Sequence, residues 1–176
     1  ADLEVTLTAS GMISGAINGG GGILLSGGTL VLSGASANGF SGTTAVSAGT
    51  LTLSKTTGPA IPAALNVSGG TVNWTQDNQF AAGSAITQSS GAIAGSANSQ
   101  AFASLTMTGG TFSTGTGAIS VSGATTISGT GPLLSLSNGG GRFSTASLAL
   151  TGASADTNYV NIENNGAAAQ VLTVGA

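Results

Sequence analysis

Chemistry in this sequence would have to come from very few side chains, because only Asp2, Glu4, Lys55, Asp77, Arg142, Asp156 and Glu163 carry charge. Glycoside cleavage needs two carboxylates held across one bond, and a bound calcium ion needs several oxygens converging from acids. Asp2 and Glu4 are the one sequence-local acid pair. Asp156 and Glu163 share the segment ADTNYVNIENNG, where folding can bring them to one another or to Arg142, but a solvated loop or an end position accounts for them as well. Asp77 lies in TQDNQF, which reads as a polar loop with room for a glycan contact. Histidine and cysteine are absent, which excludes a His-based relay, a thiol nucleophile, an imidazole or thiolate metal site and a disulfide framework. The expectation is therefore no enzyme, with no catalytic, cofactor-binding or metal-ligating residues.

Two basic residues exclude partners held by lysine and arginine, so neither nucleic acid nor an anionic membrane surface is expected. No stretch approaches the ~18 consecutive apolar residues of a membrane helix; the positive mean hydropathy reflects missing charge rather than a membrane span. The glycine clusters NGGGG at 18–22 and NGGGR at 138–142 lack the Lys-Ser/Thr ending of a phosphate loop and the aspartates of calcium-binding nonapeptides, and they read as turns. The sequons at Asn66 and Asn73 read as accidents of a Ser/Thr-rich chain. The sequence begins without Met, as a chain relieved of its signal peptide would, or an excised fragment.

What positions these few groups is a repeat. Ser or Thr, small residues, then an apolar residue four further on recurs at Ser26 with Leu30, Ser47 with Leu51, Ser68 with Val72, Ser89 with Ile93 and Thr108 with Phe112, at spacings of 21, 21, 21 and 19. Looser copies follow at Ser128 and Thr151, and an early one sits at Ser10. Within each copy the period is two, as in GTLTLS, where Leu51 and Leu53 alternate with Thr50, Thr52 and Ser54. Each repeat thus offers two strand phrases around a GG or AG corner, and a variable Gly/Ser/Asn segment with room for a third. Helix loses: 31 of the 176 residues are glycine, and no three-and-four spacing of apolar residues is sustained.

Aligning the copies produces two apolar files: Leu25, Val46, Val67, Gln88, Met107, Ile127, Leu150, and Leu30, Leu51, Val72, Ile93, Phe112. Files at a fixed offset predict strands stacked on their counterparts one repeat later, hence an all-β parallel β-helix of about eight coils of ~20–21 residues and roughly 40 Å in length. It is expected as a single β-solenoid domain over 1–176, with an N-terminal coil at 1–22, regular coils at 23–115 and looser C-terminal coils at 116–176. Trp74 falls at the place of Leu32 and Leu53 and is expected in the core. Gln88 interrupts its file, either as a buried amide bonded to backbone or as a kink. Thr29, Thr50, Thr71 and Thr111 begin a hydroxyl file that Ala92 interrupts, too broken for an ice-binding face.

The phrase GGTLVLSGASANGFSGTTAVSAGTLTLS resembles the passenger-associated transport repeat of bacterial autotransporter passengers: a GTLTLSG-like phrase at Gly28–Gly34, a spacer at Ala37–Gly42 with Phe40 as its aromatic, and a closing phrase at Thr43–Leu51. The close match covers about 30 residues, with weaker coils over most of the chain. The resemblance implies a right-handed β-helix, exported and displayed on or released from a bacterial surface, and it brings no catalytic residues. One departure is that nothing reads as the outer-membrane barrel of that family.

Three functions are open. The first is a structural subunit whose partner is itself, stacked head to tail into an extracellular fibre or matrix. The second is a stretch of a surface-displayed passenger or adhesin stalk, with a surface or matrix polysaccharide as a possible ligand. The third, disfavoured for want of clustered acids, is a β-helical carbohydrate-active enzyme. Asp2 and Glu4 are placed to guard the first coil or, equally, to pair with another subunit at that edge, while the uncharged last stretch, GAAAQVLTVGA, invites another coil.

Overall fold

Alternation decides which side of each strand turns inward. In Thr44–Lys55, residues Thr44, Val46, Leu51, Leu53 and Lys55 are buried while the positions between them reach solvent in part. Ile23–Gly34 repeats the pattern one coil earlier with Ile23, Leu25, Leu30 and Leu32. A computed structural model of the chain describes residues 3–5, 9–129, 131–137, 141–151, 160–163 and 171–175. Every strand pairing among them is parallel, and each joins a strand to its counterpart about one repeat away. The chain is an all-β solenoid.

Three faces wind around one core. The first stacks Leu3–Val5, the opening halves of Ile23–Gly34 and Thr44–Lys55, then Leu65–Val67, Ala85–Gln88, Ser104–Met107 and the closing halves of Ala118–Ser128 and Arg142–Thr151. The second stacks Ser10–Ile13, the remaining halves of Ile23–Gly34 and Thr44–Lys55, Thr71–Trp74, Ala92–Ala94, Thr111–Ser113, Leu133–Ser137 and Val160–Glu163. The third, built from the variable segment, holds Asn18–Gly19, Gly39–Phe40, Gln100–Phe102, the opening halves of Ala118–Ser128 and Arg142–Thr151, and Val171–Val174. Midway along this face the ladder thins to a single bridge between Ile61 and Phe80. Pro59 and Pro62 flank Ile61 and supply no N–H to extend it.

Both sequence files are present in register. Leu25 pairs with Val46, Val46 with Val67, Val67 with Gln88, Gln88 with Met107, Met107 with Ile127, and Ile127 with Leu150. Leu30, Leu51, Val72, Ile93 and Phe112 follow one another likewise, and Leu134 and Val160 extend the file. The stack makes about six turns rather than the eight expected. The first and last rungs are incomplete, and the third face is interrupted at the proline-flanked coil. The cluster at 18–22 is not all turn: Asn18 and Gly19 pair with Gly39 and Phe40. At 138–142, residues 138–140 lie outside the described residues and Arg142 opens a strand.

Aromatic rings thread the interior. Trp74 is 1% exposed and meets Phe80 edge-on at 5.7 Å between ring centroids. Phe102 lies 5.7 Å from Phe80 and 6.3 Å from Phe112, which in turn lies 6.4 Å from Phe143. Pairs at such angles add about 1 kcal/mol each beyond the area they bury. Among the described residues no helix is long and apolar enough to cross a membrane, which leaves open β-barrel spans.

The corner between the first two faces is a stack of glycines. Gly28, Gly49, Gly70, Gly91 and Gly110 have φ of 61°, 81°, 66°, 71° and 76°, a left-handed conformation that costs other residues strain. Space forbids a side chain as well: a Cβ on Gly70 would stand 2.5 Å from the Gly49 carbonyl oxygen, one coil below. Gly70→Ala is therefore expected to lower stability by about 3 kcal/mol in urea unfolding, while Gly83→Ala, with open space around it and ordinary φ, changes it by less than about 0.5 kcal/mol.

Candidate functional site

Among the described residues the charged side chains do not converge. Lys55 is interior, and Asp77 is exposed on a bend, where its Oδ1 accepts a 2.6 Å hydrogen bond from the Ser99 amide. Arg142 is exposed, and its guanidinium has no polar partner among the described residues. Glu4 and Glu163 lie on the first and last rungs, in register with Leu24 and Ser137. Asp2 and Asp156 fall outside the described residues, so the proposed approach of Asp156 to Glu163 or Arg142 does too. Among the described residues no three acidic or metal-ligating side chains gather.

Polar side chains do gather inside the corner between the second and third faces, which the sequence had presented as loop. Asn38, Gln79 and Gln100 are 4%, 0% and 2% exposed. Asn38 accepts from the Ile17 amide at 2.9 Å and donates to the Ala60 carbonyl at 2.8 Å, tying the coil on either side. Gln79 accepts from the Lys55 amide at 2.8 Å and donates to the carbonyls of Lys55 and Asp77 at 2.9 and 3.0 Å. Gln100 accepts from the Gln79 amide at 2.6 Å and donates to the Gln76 carbonyl at 2.8 Å. Each primary amide thus replaces the missing strand ladder with side-chain bonds running from coil to coil. Backbone groups left unpaired there would cost about 1–3 kcal/mol each.

Lys55 completes this corner. Its side chain is 1% exposed and its Nζ donates at 2.7 Å to the carbonyl of Gly15, two coils below. Burial disfavours the ammonium and lowers its pKa from the ordinary lysine value. A period-two reading of GTLTLSK already puts Lys55 on the side of Leu51 and Leu53. Gln88 is the buried amide rather than a kink: it is 1% exposed, and its Nε2 donates to the carbonyls of Gly91 and Thr111 at 3.1 and 2.9 Å, pinning the glycine corner.

The outside is a grid of small polar residues. Thr29, Thr50, Thr71, Ala92 and Thr111 form one file, which ends on Leu133. Asn66 is exposed and Asn73 half-buried. Two shallow grooves of about 250 Å³ each flank the file Ser120, Ser144, Thr173 on the third face, with Arg142 at one margin.

The ends differ from the middle. Ile127, Leu134 and Phe143 are sealed by the rung above them, but their partners Leu150, Val160 and Leu172 are not, and Leu150 is 48% exposed. Val174, stacked on buried Thr145, is 50% exposed. On the first rung Ile13 is half-buried and Met12 is 69% exposed on the outer side. The C-terminal rung thus presents interior apolar side chains to solvent, and among the described residues no strand pairs with the outer edge of either terminal rung.

Two substitutions separate a useful interior polar group from a costly one. Gln79→Leu strips the Lys55 amide of its acceptor and is expected to cost about 3 kcal/mol in urea unfolding. Thr44→Val is expected to stabilise by about 1 kcal/mol, because the Thr44 hydroxyl is buried in the Ile23 to Leu65 file with no hydrogen-bond partner.

Comparison with known proteins finds no matching family model, no similar curated protein and no similar solved structure. Fold and function are therefore argued from the geometry above.

Proposed function

We propose that this chain is a non-catalytic structural solenoid, exported to the cell surface or beyond, whose copies stack end to end into a fibre. The observation that carries this reading is the state of the last rung, where Leu150 and Val174 continue buried files yet lie about half open to solvent. Covering them by another rung of the same kind extends three ladders at once, each bond formed between groups already held in strand geometry. A net charge of −3 over 176 residues opposes such association weakly. The extracellular setting rests on the resemblance to passenger repeats and on a composition poor in the charges that most soluble domains carry. The want of acid and base groups supports a building role over carbohydrate chemistry, with His and Cys absent and only five acids present.

The second reading is a stretch of a longer surface-displayed passenger, in which further coils of the same chain cover the open rung. The grooves beside Ser144 favour a lateral polysaccharide contact in either case.

Engineered cysteines distinguish the two, since the chain has none of its own. The outer file that begins at Met12 passes through Val31, Thr52, Asn73, Ala94, Ser113 and Ser135 to Asn161. A copy added by one rise of ~4.8 Å sets its Met12 above Asn161, within the Cα separation that a disulfide spans. Oxidising a Met12→Cys/Asn161→Cys chain is expected to yield a ladder of covalent multimers on a non-reducing gel, while each single variant stops at dimers. A double variant that stays monomeric contradicts self-assembly and leaves the passenger reading.

A further inference from the structure

The bend of the first rung is held differently from the bend one coil above it. The second and third strands of that rung, Ser10–Ile13 and Asn18–Gly19, pair upward as far as Ile13 with Leu32 and from Asn18 with Gly39, and the register skips residues 14–17 between them. One coil up, main chain ties the bend: the Thr56 amide donates to the Gly34 carbonyl at 3.1 Å. Gly15 lies two places past Ile13 as Gly34 lies two past Leu32, yet the donor to its carbonyl is the Lys55 ammonium, at 2.7 Å and from two coils away. Gly34, the register partner of Lys55, has no side chain to bar the stem on its way down. Asn38 adds a second tie from the coil above, its Oδ1 accepting from the Ile17 amide at 2.9 Å. Side chains of later coils thus hold this bend from inside the rod.

An ammonium is a costly group to use there. Lys55 is 1% exposed, burial lowers its pKa, and no carboxylate among the described residues offsets that shift. Gly15 is itself exposed, so water serves its carbonyl once the ammonium is gone. An apolar stem of similar length fills the same space without desolvating a charge, so the bond adds little to overall stability. What it fixes is position, because residues 14–17 join two strands whose outer edges an incoming copy must meet together. We propose, resting on the self-assembly reading, that Lys55 is a positioning residue for stacking: its ammonium locks the bend at Gly15, so that Ser10–Ile13 and Asn18–Gly19 present their edges to an incoming copy in one fixed geometry.

Lys55→Met tests this on the full chain. Circular dichroism is expected to show the parent's β-sheet signal, and the urea midpoint read by the single tryptophan, Trp74, to equal or exceed the parent's. Hydrogen exchange at the Ile17 amide is expected to quicken about tenfold while that at Leu51 is unchanged. The concentration at which light scattering reports assembly is expected to rise about tenfold. Adding Ser14→Cys/Ser33→Cys, next in register after Ile13 with Leu32, ties the bend from outside once oxidised and is expected to restore the parent's onset. A lost β-sheet signal, or a midpoint that falls as far as that of Gln79→Leu, overturns the assignment, because the lysine then serves the fold itself. An unchanged onset or an unchanged Ile17 exchange overturns it while self-assembly stands, and so does an oxidised bridge that restores nothing. If the parent never assembles, and the Met12/Asn161 cysteine pair leaves only monomers, self-assembly falls and this role with it.

Discussion

Parallel stacking in register is the constraint from which the rest of this structure follows. A strand in a parallel ladder satisfies its N–H and C=O groups only on its two neighbours, here the coils above and below. A residue at one height therefore sits on its own counterpart at the next, as Leu51 sits between Leu30 and Val72. Side chains that pack against their own kind repeat, and the repeat in turn enforces the rise. The same constraint leaves any terminal rung incomplete, whatever its sequence. A rod of this kind has sides that are finished and ends that are not.

The corners show how the constraint is met where strands cannot continue. Between the first and second faces the chain turns on left-handed glycines so close-packed that backbone touches backbone from coil to coil. Between the second and third, prolines and short segments interrupt the ladder, and Asn38, Gln79 and Gln100 take over its hydrogen bonding from inside. The two solutions are opposites: one removes side chains to bring backbones together, and the other inserts amides to span the gap. Lys55 belongs with the second, its stem lying in the core and its ammonium bonded to Gly15 at a cost in desolvation.

Much of this was legible in the residues themselves, for a physical reason. The first and second faces repeat at nearly constant spacing with two-residue alternation, so the files through Val46 and Leu51 align in the sequence itself. The third face was harder, because Phe40, Ile61, Phe80 and Phe102, although near the repeat spacing, sit amid glycine and serine in strands too short to show alternation. Gln79 and Gln100 looked like loop polarity, although their separation of 21 residues carried the repeat's signature. Lys55 stood out in the sequence only as a charge, although its place in the alternation puts it on the side of Leu51 and Leu53. The coil count ran high because partial end rungs carry the repeat phrase without closing a turn. As for function, no three acidic or metal-ligating side chains gather among the described residues, and the building role proposed rests on the open last rung.

The proposed end-to-end stacking along the rod axis is tested most directly by X-ray fibre diffraction from aligned assemblies. Stacked rungs with strands across the fibre place a sharp reflection near ~4.8 Å on the meridian. Filaments showing that reflection, at the width of a single solenoid, are the predicted result. A reflection at that spacing on the equator, as side-by-side rods would give, or chains that remain single short rods under every condition, would contradict it.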